Sequence, residues 1–207
     1  MAEQLQPFGF SGVGDNKNLL LRCCSAVIAA DLSPEALIAL NGSKVRSSFP
    51  QVITGIKGAI DFLRKNLHIK LLENLPYDNL LVPLAVFFAN DENKQHRISS
   101  AQRREILRWF WLTCFSRRYN SQPVKNLKED VIAFGNLKAG KNKVLTDSEL
   151  DVGASFFTTN VFRINSVLSR TFVLMLAQNR PTSFISGNTI DLRKALKAYN
   201  RHEFHHI

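Results

Sequence analysis

Apolar residues recur every three or four positions along much of this chain, and strict alternation is nearly absent. Val52, Ile53, Ile56, Ile60, Leu63 and Leu67 follow that spacing and predict an amphipathic helix over residues 50–67. Gly55 and Gly58 lie inside it. They lower helix propensity but allow a neighbouring helix to come close. An earlier apolar run predicts a helix over residues 19–30, after an irregular lead-in over residues 1–16 that holds Pro7, Gly9, Gly12 and Gly14. Ser33, Pro34 and Glu35 read as N-cap, first helical position and first-turn acid. That helix should run to about Leu40, with Asn41-Gly42 as its stop.

The second half continues in the same period. Pro76 opens a helix over residues 77–89, which Pro83 should kink or restart. Ser99 and Gln102 have capping-box spacing and start a helix running to about Arg118. Further helices are expected over 124–137 and 190–199. Residues 156–178 form the most apolar stretch, expected as a single helix central to the core and ended by Pro181. The fold class is therefore all-α, an irregular multi-helix bundle. A helical domain over 17–198 follows the lead-in, and residues 199–207 are set apart as the one strand-prone stretch.

Charge changes the picture. The formal net charge is +10 and the sequence pI about 9.8, which points to a polyanionic partner, nucleic acid before an acidic membrane surface. Residues 91–145 hold twelve Lys or Arg against five acids, most of the whole surplus. Arg103, Arg104, Arg108, Arg117 and Arg118 belong to the 99–118 helix and its exit. Lys138, Lys141 and Lys143 fall in a glycine-containing basic loop after the next helix. The arginines are the stronger candidates for phosphate contacts, because a rigid helix presents them. Trp109-Phe110-Trp111 sits among them, and three consecutive residues sweep roughly 200° of a helix. At most one could stack on a base, and core packing is the expected role.

Three cysteines, Cys23, Cys24 and Cys114, make neither a disulfide framework nor a zinc-type pair. In apolar helical stretches they read as buried thiols of a cytoplasmic protein. No apolar run has the length and purity to span a bilayer. No phosphate-binding glycine loop, nucleophile elbow or zinc helix is present, and the chain itself calls for no cofactor. His68 and His96 are isolated. The pairs Asp91-Glu92 and Glu129-Asp130 read as structural carboxylates on a loop or helix surface. Asp147, Glu149 and Asp151 alternate like a calcium ladder, but Val152 stands where the loop needs glycine. Thr146 and Glu149 form a simpler capping box.

The chemistry that remains is at the end of the sequence. Three of the five histidines lie in the final six positions, and the last residues read Glu203-Phe204-His205-His206-Ile207. Adjacent histidines on a β-prone stretch are how the first strand of a His-Asn-His (HNH) nuclease motif begins. There a divalent metal stabilises phosphoryl oxygens and a neutral imidazole takes a proton from water. A solvated histidine tail is the plainer alternative.

Leu75-Pro76-Tyr77-Asp78-Asn79-Leu80-Leu81, the Trp109-Phe110-Trp111 helix closing on Arg117-Arg118-Tyr119, and the terminal Phe204-His205-His206-Ile207 occur in that order. From about residue 50 onward this resembles the middle of GmrSD-type proteins, modification-dependent type IV restriction enzymes, and their relatives. The resemblance implies an N-terminal ParB-like nucleotide-hydrolysing domain, a helical middle and a C-terminal HNH nuclease. His206 would match the general base and His205 the adjacent metal-side position. A divalent metal and a nucleoside triphosphate would belong to the parent protein, with DNA as partner. The chain would then be a fragment of a longer protein, catalytically inactive alone. A structural or oligomerisation module, with an incidental basic surface and a homo-oligomeric state, is the alternative.

Overall fold

The computed structural model describes residues 10, 12–90, 97–141, 150, 153–163 and 166–190. These form an all-α irregular bundle. Among them there is no β-strand, only an isolated antiparallel bridge between Thr182 and Thr189.

Local rules place the first elements. Helix α1, Lys17–Ala29, starts where the Asn16 side chain accepts the Leu19 N–H. Helix α2, Pro34–Ile38, has Ser33 as its cap and Pro34 in its first turn. The expectation for Asn41-Gly42 needs correction. Asn41 begins the next helix by accepting the Ser43 N–H at 2.9 Å, so α3 spans Gly42–Leu67 and runs straight through Pro50. His68 ends α3 in the left-handed conformation, and the Ile69 N–H turns back to the Leu63 carbonyl.

The core is built on α4, Leu81–Phe88, which follows a 3₁₀ turn at Asp78–Leu80. Pro83 falls in its first turn, where proline costs no helical hydrogen bond. Seven of the eight α4 residues are buried, so this short helix has no solvent face. It is surrounded by α1, α3 and α6, Pro123–Lys138. Helix α5, Ser100–Phe115, adds Ile106, Trp109, Phe110 and Cys114 to the same core. Phe87, Phe88, Phe62, Phe134 and Trp109 make a chain of edge-on and tilted rings through it. The lead-in also contributes, since Phe10 and Val13 are buried.

The expected single helix over 156–178 is two helices, and it is not central. Helix α7 spans Ala154–Thr159, and α8 spans Val167–Gln178 with Ser166 as its cap. The break has a local cause. Thr159 and Asn160 turn their side chains onto the Ser155 and Phe156 carbonyls. Side chains that bond their own backbone in this way compete with helix continuation. Only Ser169, Thr171 and Leu174 of α8 are buried, so it packs as a flank against α5. Residues 191–199 of the expected last helix, the carboxylates of Asp147, Glu149 and Asp151, and Asp91-Glu92 lie outside the described residues.

Candidate nucleic-acid interface

Helix α5 carries the basic residues, and its termini and inner face are fastened. The predicted capping box is present: the Gln102 N–H donates to Ser99 Oγ at 3.2 Å, and the Ser99 N–H to Gln102 Oε1 at 3.0 Å. The Gln102 amide also donates to the Leu137 carbonyl at 2.9 Å, joining the start of α5 to the end of α6.

The inner face is held by one carboxylate. Asp130 is fully buried and accepts from Trp109 Nε1 at 3.1 Å and from the Tyr119 hydroxyl at 2.6 Å. Arg118 closes the group, with Nε on Asp130 Oδ1 at 3.2 Å and a terminal nitrogen on Glu129 Oε2 at 2.8 Å. Burial pushes the Asp130 carboxyl up from its ordinary range, and the donors from Tyr119, Arg118 and Trp109 oppose that push. Burial likewise holds the Tyr119 hydroxyl well above the ordinary tyrosine range, helped by the Asp130 charge. For Arg118, burial disfavours the charge, but the Asp130 and Glu129 carboxylates outweigh it and raise its basicity. The expectation that Glu129-Asp130 is structural holds, but Asp130 belongs to the core and not to a helix surface.

Two of the predicted phosphate ligands therefore have internal work. Arg118 is bound to Asp130 and Glu129, and Lys138 donates to the Ala89 carbonyl at the end of α4. Arg104 and Arg117 are exposed, as is Lys141, and Arg108 is half-exposed, 3.9 Å from Glu105. Arg103, next to Arg104, is exposed as well. Lys143, His205 and His206 lie outside the described residues.

Spacing on α5 orders these side chains. Arg104, Arg108, Trp111 and Phe115 fall at i, i+4, i+7 and i+11, one stripe along the helix. Its basic end is open to solvent. Its aromatic end is half-buried: Trp111 stacks on Phe115 with centroids 6.0 Å apart, and Phe115 meets Phe156 of α7 edge-on. Trp109 and Phe110 are core, as the helical sweep of the three aromatics required.

The cysteines are where the apolar pattern put them, all free and buried. Among the described residues no three His, Cys, Asp or Glu side chains are grouped to hold a metal ion. No helix among them is long and apolar enough to cross a membrane. No protein-family model, curated protein or solved structure matches the chain.

Proposed function

We propose that this chain is a helical DNA-contacting domain, the middle region of a DNA-targeting restriction or defence protein. In this reading it joins a nucleotide-hydrolysing end to an HNH nuclease end. The observation that carries the DNA contact is α5 itself. Its inner face is anchored to Asp130, Arg103 and Arg104 are exposed on it, and half-exposed Arg108 follows Arg104 one turn on. A rigid row of guanidinium groups suits phosphates, which position a protein on DNA without reading sequence. The parent assignment rests on the order of the sequence motifs ending in His205 and His206, with the divalent metal and nucleoside triphosphate belonging to that parent.

The test is duplex binding by fluorescence anisotropy across a salt series, with the 207-residue chain and an Arg104→Ala, Arg108→Ala variant. Affinity that falls steeply with salt, and less steeply in the variant, supports the contact. Salt-independent or absent binding favours the structural module. If binding survives unchanged in the variant, the site moves to Lys141 and Lys143.

A further inference from the structure

The chain leaves α8 through a tight turn that displays two large apolar side chains. Phe184 is 105% and Ile185 99% exposed, the two most exposed large hydrophobic residues of the described chain. Such residues normally lose water on folding, and each fully exposed one forgoes that burial.

The turn is held by its own hydrogen bonds. The Ser183 N–H donates to the Asn188 carbonyl and the Gly187 N–H to the Ser183 carbonyl, both at 2.8 Å. The Ile190 N–H reaches the Pro181 carbonyl at 2.8 Å, and Thr182 bridges Thr189. Ser183 Oγ accepts the Ile185 and Ser186 N–H groups, each at 3.3 Å. Gly187, at φ 67°, supplies the left-handed residue that closes the turn. The backbone is thus fixed while both apolar side chains stand clear of the protein.

The surroundings favour an anionic occupant. Arg180 is exposed, and no Asp or Glu lies between it and Ile190, Asp191 being the next residue. Arg180 sits directly at the base of the turn. A second copy of the chain would bring two charges of +10 together. A bilayer contact limited to two side chains and a flanking arginine would be marginal. The exposed Arg180 guanidinium beside the two apolar side chains suits a polyanion instead.

We propose that Phe184 and Ile185 form a wedge that enters a base step of duplex DNA, with Arg180 on the adjacent phosphate. Apolar wedges of this type unstack a step and bend the duplex, most easily at a flexible pyrimidine–purine step. This rests on the DNA-contact reading of α5 and deepens it.

The experiment uses the full chain and a duplex carrying 2-aminopurine at a TA step, in parallel with anionic phosphatidylserine vesicles. Both side chains are exposed, so Phe184→Ala with Ile185→Ala leaves the fold intact. The expected result is a rise in 2-aminopurine fluorescence on binding that the double variant abolishes. Its affinity should fall about tenfold while the salt slope stays the same. Binding without unstacking, or unstacking unchanged in the variant, overturns the wedge and leaves the α5 contact standing. No duplex binding by the unaltered chain overturns both. Loss of vesicle binding in the variant, with DNA binding unaffected, overturns the wedge and makes the turn a membrane contact.

Discussion

Gly55 of α3 lies directly against the Ala85 carbonyl of α4: a Cβ at position 55 would fall 2.3 Å from that oxygen. The obstacle is backbone, so no side chain can swing aside. Alanine in mid-helix would otherwise gain about 1 kcal/mol over glycine. Here overpacking should win, and Gly55→Ala should destabilise by about 1–3 kcal/mol. Gly58 is opposed by Phe88 Cβ at 2.5 Å and should behave alike. Urea denaturation measures both. A stabilised Gly55→Ala protein would show that α3 and α4 do not pack this closely.

Asp130 gathers donors from Trp109, Tyr119 and Arg118 in a buried site. Asp130→Ala leaves the buried Trp109 and Tyr119 donors without their acceptor and Arg118 with Glu129 alone, which should cost about 2–4 kcal/mol. Tyr119→Phe removes one donor from a carboxylate that keeps the others and should cost about 1 kcal/mol. Equal losses in the two variants would mean that the network does not centre on the carboxylate.

Asp31 stitches the α1–α2 turn to α6, accepting Lys128 Nζ at 3.0 Å and the Leu32 and Ser33 N–H groups. Lys128, then the Ser33 N–H, hold its carboxyl down to about 2 from an ordinary 3.8. The folded state therefore resists protonation that the unfolded chain accepts. The Asp31 contribution is complete above pH 3.8 and is lost as pH falls toward 2. Stability measured down that range should decline less in Asp31→Asn than in the unaltered protein. Parallel declines would remove the bridge from the account.

Arg104 and Arg108 share one face of α5. If each neutralises one phosphate, the double alanine variant should lower the salt slope of duplex binding by about 1.8. Arg104→Ala alone should change stability little, since exposed substitutions usually stay within about 0.5 kcal/mol, and urea denaturation of the double variant reports any cost of losing Arg108 beside Glu105. Anisotropy titrations between low and moderate salt separate this from a fold defect.

Burial pushes the Cys23 and Cys114 thiols far above the usual range, so almost no thiolate forms at neutral pH. Cys24 is shifted the same way. Ellman's reagent should leave the folded protein untouched and titrate three thiols after denaturation. Rapid labelling of the native chain would place at least one thiol at the surface.

By itself, the sequence determined what local chemistry controls. The three- and four-residue period located α3, the Ser99–Gln102 pair started α5, and Ser33-Pro34 started α2. The glycines at 55 and 58 announced a close helix contact, because only a missing side chain permits one. It also set the basic surplus and the apolar placing of the cysteines. What it could not determine was which partner each segment meets. Asn41 caps as readily as it stops a helix, and only the helix that packs after it decides. Apolar content made 156–178 look central, yet a buried position needs neighbours on every side, and α4 has them where α8 does not. Arg118 and Arg104 are the same residue type on one basic stretch. Asp130, twelve residues beyond Arg118, draws one inward and leaves the other in water, a distinction that exists only once α5 and α6 are packed together.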